Sequence, residues 1–296
     1  ENTARSPVPL DSQRRRGIAS LRGKRSREAM ARMAAALLMV AVAVAAVVGG
    51  ARAQLKDGFY AHSCPRAEEI VKHYVKEHIP HAPSVAATLI RTHFHDCFVR
   101  GGPFWPVPTG RRDGTVSIKQ EALDQIPAPT MNFTQLLQSF QNKSLNLADL
   151  VWLSGAHTIG IAHCNSFTER LYNFTGRGGP GDADPSLDPA YAANLRRTKC
   201  PNPNDNTTIV EMDPGSFLTF DLSYYRGVLK RRGLFQSDAA LITDAAAKAD
   251  ILSVVNAPPE VFFQVFARSM VNLGNIEVKT GSEGEIRKHC AVVNKH

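Results

Sequence analysis

The sequence predicts a mainly α-helical fold built as a single unit. Three observations predict it. Apolar residues recur at helical spacing in nine segments between residues 65 and 272. No strand-rich stretch or internal repeat stands out among them. The composition, 43% hydrophobic and 21% charged over 296 residues, belongs to a chain with a real core rather than a disordered polybasic tail.

A leader comes first. Residues 1–53 hold ten of the 35 Lys and Arg but three of the 27 Asp and Glu. Seven of the eight net positive charges therefore lie there, and 54–296 carries +1. A net charge of +8 first suggests nucleic acid or an anionic surface. The split removes that reading, and no nucleic-acid partner is expected. Residues 1–29 are basic, lack apolar periodicity, and are expected to be an upstream extension. Residues 30–53 read as a secretory signal peptide. Arg32 precedes an apolar run from Met33 to Val48, and Ala51-Arg52-Ala53 has the small-x-small form of a cleavage site. The run also approaches the roughly 18 residues that span a bilayer, so an uncleaved anchor is the alternative. Cleavage leaves 54–296 as the working domain, free of the membrane. Four Asn-x-Ser/Thr acceptors, at Asn132, Asn142, Asn173 and Asn206, agree with export to the extracellular space or cell wall. Disulfides are allowed there, but five cysteines is an odd count.

The helices follow in order. Residues 65–79 place Ile70, Val71, Tyr74, Val75 and Ile79 on helical spacing behind Ser63 as a cap. Residues 84–98 are expected to form a second helix opened by Ser84. Gly101, Gly102, Pro103, Pro106, Pro108 and Gly110 make 101–114 a loop. Helical patterns return at 133–141, 146–155, 164–172, 186–197, 221–232, 245–255 and 260–272.

The second helix carries an unusual face. Arg91, Phe94 and His95 stand at i, i+3 and i+4, so a cation, an aromatic ring and an imidazole share one side. Taken alone, this reads as a surface Arg beside a core Phe and a polar His. His93 and His95 point apart, which argues against a zinc pair.

The wider string changes the reading. LIRTHFHDCFV (89–99) resembles the distal helix of the secreted plant (class III) haem peroxidases, and DLVWLSGAHTIGIAHC (149–164) resembles their proximal motif. FYAHSCP (59–65), GGPFWPVPTGRRDG (101–114), IPAP (126–129), RLYNF (170–174), TFDLSYY (219–225), RGLFQSD (232–238) and MVNLGNIEVKTGSEGEIRKHC (270–290) match in the same order. The resemblance covers nearly all of 54–296. It implies a helical fold with haem b between distal and proximal halves, working as a monomer. The implied activity is reduction of hydrogen peroxide with one-electron oxidation of small phenolic donors.

Residue roles follow from the resemblance. His157 is the axial ligand of the iron, and Asp238 is the buried carboxylate that orients it and raises its basicity. His95 is the general base that moves a proton between the peroxide oxygens. Arg91 stabilises charge developing on the leaving oxygen, and Phe94 shields the iron. Thr158, Asp213, Ser216, Thr219 and Asp221 match a calcium site of hard oxygen donors. Cys164 and Cys200 match a family disulfide, and Pro127 belongs to the donor-binding rim.

The chain also departs from the family. Val99-Arg100 runs straight into Gly101-Gly102-Pro103, where the family carries a long further stretch. Three family cysteines fall in that stretch, which leaves Cys64, Cys97 and Cys290 without partners. Asp96 and the carbonyl of Val99 remain from a second calcium site that is otherwise cut. The residues that hold the distal His are lost as well, and a loosely held base loses a rate factor on the order of 10²–10⁴. Three readings remain: an impaired peroxidase, a non-catalytic secreted remnant or mis-spliced product that keeps only haem and calcium binding, or a deletion that arises from exon skipping or a gene-model error.

Overall fold

Helices dominate the computed structural model, which describes residues 55–78, 81, 105–178, 181–289 and 291–294. Among these residues the α-helices are α1 (Ala67–His78), α2 (Lys119–Gln125), α3 (Phe133–Gln141), α4 (Leu147–Ser154) and α5 (Thr168–Tyr172). They continue with α6 (Pro189–Asn194), α7 (Ser223–Leu229), α8 (Gln236–Ala240), α9 (Ala245–Val255) and α10 (Pro259–Gly274). The described strands are β1 (Ile161–His163) and β2 (Ile209–Glu211), paired antiparallel with Ala162 opposite Val210. The mainly α expectation therefore holds. Arg91, Phe94, His95, Asp96 and Val99, together with the leader 1–53, lie outside the described residues.

Two helix starts show how local chemistry sets the boundaries. Asn132 Oδ1 accepts the Gln135 N–H at 3.0 Å, while Gln135 Oε1 accepts the Asn132 N–H at 2.9 Å. Asn146 and Asp149 repeat this reciprocal pair at the start of α4. Each box satisfies two backbone or capping groups that would otherwise lack partners at a helix start. Asp149 then accepts the Asn272 amide at 2.9 Å, which fastens α10 to α4.

The main core forms around α4. Leu150, Val151 and Trp152 are consecutive and all buried, so this helix is enclosed on more than one side. Phe262, Phe266 and Met270 of α10 pack into it at four-residue spacing. Phe220 stacks on Phe262, with ring centroids 5.3 Å apart. Trp105, in the proline-rich loop, meets Phe266 edge-on at 5.9 Å. Arg111 of that loop donates to the Gly274 carbonyl at 2.7 and 3.0 Å and closes the C-terminus of α10.

A second apolar cluster surrounds the small sheet and includes Phe167, Leu171, Leu187, Leu195 and Leu234. Cys164 and Cys200 are bonded at its centre and fully buried, as the resemblance implied.

Some sequence expectations are corrected. Residues 164–172 are not one helix: a 3-10 turn at Cys164–Ser166 precedes α5. Cys164 is held there by its disulfide and by donating its N–H to the Thr208 carbonyl. The helix expected at 186–197 starts at Pro189, where Asp188 caps it, and widens into a π turn at Leu195–Lys199. On α1 only Val75 is buried, whereas Ile70, Val71 and Tyr74 are 54%, 46% and 61% exposed. Helical spacing identified that apolar face but not what covers it.

Candidate haem-ligand site

The site begins at the end of α4. Gly155–Thr158 forms a 3-10 turn that carries His157. Gly155 is required for close approach. A Cβ there would stand 2.5 Å from the Tyr225 hydroxyl and 2.8 Å from the Phe262 ring. The turn therefore seats His157 directly against the main core.

His157 Nδ1 lies 2.8 Å from Asp238 Oδ1. An ionised carboxylate only accepts, so Nδ1 donates and the lone pair sits on Nε2. The imidazole side chain is 37% exposed while Asp238 is 1% exposed. Tyr224 donates its hydroxyl to the same Oδ1 at 2.9 Å, and the Phe235 N–H donates to Oδ2 at 2.8 Å. Burial pushes the Asp238 carboxyl up, but His157 and these hydrogen bonds outweigh it and hold the group below the usual carboxylate range. Burial, then the Asp238 charge, pushes the Tyr224 hydroxyl well above its ordinary value. Tyr224 and Phe235 meet the His157 ring edge-on at 5.8 and 5.5 Å.

A buried cation supports this arrangement from behind. Arg170 Nη1 donates to the carbonyls of Gly233, Leu234 and Phe235 at 2.7, 2.8 and 2.9 Å. Its Nε donates to Asp184 at 2.7 Å, and both side chains are almost fully buried. The loop that delivers Phe235 and Asp238 is thus tied to α5.

Next to His157 is a cluster of hard oxygens. The Thr158 hydroxyl lies 3.2 Å from Asp213 Oδ2, 3.3 Å from Asp221 Oδ1 and 3.5 Å from the Thr219 carbonyl. The Ser216 hydroxyl donates to Asp221 Oδ2 at 2.7 Å. Burial, then the neighbouring Asp221 charge, pushes Asp213 up to about 6. Two facing carboxylates ringed by hydroxyls and a carbonyl are a donor set suited to Ca²⁺. Among the described residues there is no group of three His, Cys, Asp or Glu suited to a metal ion. A cation here must draw on the hydroxyls and carbonyls.

A cavity of about 390 Å³ is lined by Pro129, Thr130, Asn165, Ser166, Glu169 and Gln236, among others. The Pro129 carbonyl accepts the Ser237 N–H at 2.9 Å, next to Asp238. Pro127 is half-buried and is not among the residues lining this cavity.

The structure therefore brings together His157 with Asp238, and Thr158 with Asp213, Ser216, Thr219 and Asp221. Sequence reasoning did not assign Tyr224, Phe235 or the Arg170–Asp184 pair. The only signal for Tyr224, Phe235 and Arg170 was membership of the strings TFDLSYY, RGLFQSD and RLYNF, and Asp184 lies in none of them. Of the three cysteines expected to lack partners, Cys64 is a free, exposed thiol, whereas Cys97 and Cys290 lie outside the described residues.

A half-buried imidazole with one nitrogen held by a buried carboxylate, on a mainly helical frame, has the form of a haem-iron ligand. A sequence profile of the family described as peroxidase matches residues 100–256. The chain is 48% identical to Peroxidase 3 of Arabidopsis thaliana, over 87% of this chain and 97% of that protein. It is 44% identical to Peroxidase 30 of the same plant, over 89% and 98%, and 44% identical to Peroxidase 1 of Oryza sativa subsp. japonica, over 90% and 100%. The chain belongs to the peroxidase family, in its class III plant branch, and is an oxidoreductase of the haem peroxidase type. The first alignment is 320 positions long yet uses 87% of 296 residues, roughly 258, so roughly 60 aligned positions have no residue of this chain.

Proposed function

We propose that this chain is a secreted peroxidase that binds haem b through His157 and oxidises small phenolic donors at the expense of hydrogen peroxide. The observation that carries the reading is the His157–Asp238 hydrogen bond of 2.8 Å. Haem, when bound, supplies the iron that accepts oxidising equivalents from peroxide. The protein's own part would be to fix the imidazole tautomer, raise the basicity of Nε2 and move a proton of the peroxide. By the resemblance, His95 would take the proton from peroxide and return it to the leaving oxygen, Arg91 would stabilise the charge there, and Phe94 would shield the haem. Pro127 and the nearby cavity form the donor rim.

Calcium is assigned to Thr158, Asp213, Ser216, Thr219 and Asp221. The supporting chemistry is an all-oxygen donor set around two mutually repelling carboxylates. Asp96 and Val99 belong to the remnant of a second calcium site. Secretion is supported by the signal-like residues 30–53 and by the exposure of all four acceptor asparagines, Asn132, Asn142, Asn173 and Asn206. Residues 1–29 stand apart as an upstream extension, and 54–296 is the working domain. Among the described residues no helix is long and apolar enough to cross a membrane.

The roughly 60 unmatched positions are assigned to the junction of Arg100 and Gly101. The exposed Ile70, Val71 and Tyr74 of α1 support a loss of neighbouring structure. Sequencing the transcript across that junction tests the assignment. The function is tested by adding haem to the purified 54–296 chain. A histidine-ligated absorption band and peroxide-dependent phenol oxidation that His95→Leu abolishes are expected. Absence of the band overturns the reading.

A further inference from the structure

Asp238 Oδ1 serves two donors at once. His157 Nδ1 stands 2.8 Å away and the Tyr224 hydroxyl 2.9 Å away. Oδ2 instead takes the Phe235 N–H at 2.8 Å. Tyr224 is 3% exposed and Asp238 1%, so this sharing takes place in a low-dielectric interior. The adjacent Tyr225 is equally buried but is directed elsewhere, donating to the Val151 carbonyl at 2.9 Å.

Sharing has a chemical consequence. A hydroxyl donating to Oδ1 withdraws charge from the oxygen that receives the imidazole proton. Less charge on Oδ1 means a weaker pull on Nδ1–H and a less basic Nε2. Ligand basicity and its hydrogen bonding are among the protein's levers on haem-iron chemistry.

We propose that Tyr224 is a positioning residue that tempers the Asp238–His157 pair and so limits the electron donation His157 makes to a bound iron. This rests on His157 being the iron ligand. Tyr224 also packs edge-on against His157 with centroids 5.8 Å apart, so Tyr224→Phe removes the hydroxyl and keeps the ring contact. The change isolates charge tuning from packing.

The test compares the haem-loaded parent with Tyr224→Phe, with 3-fluorotyrosine at position 224, and with Tyr225→Phe. The readouts are the ferric/ferrous midpoint potential, the iron–histidine stretching frequency, and the Nδ1–H proton shift of His157 in the haem-free chain. In Tyr224→Phe the stretch rises and the Nδ1–H resonance moves downfield. The potential falls by the equivalent of about a threefold change in the oxidised-to-reduced ratio, or about 28 mV at 59 mV per tenfold for one electron. Fluorotyrosine is a stronger donor that retains the hydroxyl, and it moves all three readouts the other way. Tyr225→Phe loses a buried hydrogen bond without touching Asp238, and it leaves them unchanged. The proposal is overturned if Tyr224→Phe and fluorotyrosine move the readouts no more than Tyr225→Phe does. If the parent takes up no haem, the ligand reading fails instead, and the Nδ1–H shift still decides the role of Tyr224.

Discussion

Asp238 Oδ1 lies 2.8 Å from His157 Nδ1 although 81 residues separate them in the chain. The two arrive from different elements. His157 comes from the turn that ends α4, and Asp238 from the first turn of α8. Asp238 also accepts the Phe235 N–H, so one carboxylate both caps its own helix and orients the imidazole. The cap secures the carboxylate on its own backbone before it reaches the ring.

Replacing Asp238 by Asn keeps the shape and removes the charge. Loss of such an orienting partner costs about 10–100-fold in affinity or activity. Haem titration and steady-state phenol oxidation of Asp238→Asn are expected to show a loss of that order. Unchanged values in both would exclude a role for the carboxylate.

The disulfide closes a separation of 36 residues. In the chain-entropy account a loop of that length contributes about 4 kcal/mol. The double variant Cys164→Ser, Cys200→Ser should lower the unfolding free energy by that order in urea titrations.

Arg170 and Asp184 are a different case, because the ion pair is almost wholly buried. Removing one partner strands a charge, which costs about 3–5 kcal/mol. Arg170→Met should therefore destabilise strongly in equilibrium unfolding, and replacing Asp184 by Leu as well should recover part of the loss.

Calcium should act through mass action on the native state. At a free concentration of 100 times Kd, a ligand bound only by the folded chain stabilises it by about 2.7 kcal/mol. Thermal melts with added Ca²⁺ and with chelator should differ for the parent. Asp221→Ala should remove that difference.

Asp205 predicts an acid dependence. Hydrogen bonds from Thr208, and then Thr207, hold its carboxyl well below the usual carboxylate range. Its folded pKa is thus lower than the unfolded value of about 3.9. The stabilisation is present above that value and is lost as pH falls through the folded pKa. The stability advantage of the parent over Asp205→Ala should shrink on acidification. An advantage that grows below about pH 4 would contradict the assignment.

Much of the fold was legible because its helices are amphipathic and capped locally. Residues 133–141 and 245–255 were read with the bounds observed, Phe133–Gln141 and Ala245–Val255, and in each case an Asn or Asp stands at the N-cap. Two short elements were not legible. α2 and α8, at seven and five residues, are too short to show a period. The break at Cys164 depends on a disulfide to Cys200 and a bond to Thr208, neither of which is a local signal. At the site, the motifs identified His157 and Asp238 as partners. No periodicity marked Tyr224 as sharing the carboxylate, because that depends on where α7 meets α8.

The sequence by itself determined the helical class and, through its resemblance to the class III plant peroxidases, the family, the pairing of His157 with Asp238 and the cysteine pair. The helical class resides in residue types at set spacings, which short-range sterics and helix geometry make readable, and the two pairings reside in motif strings shared with the family. Only the tertiary structure decided that Tyr224 and His157 converge on one oxygen, that Arg170 ties down the loop before Asp238, and that the apolar face of α1 stands exposed. Each of these depends on which surfaces meet in three dimensions, and that is set by packing of elements distant in the chain rather than by local propensity.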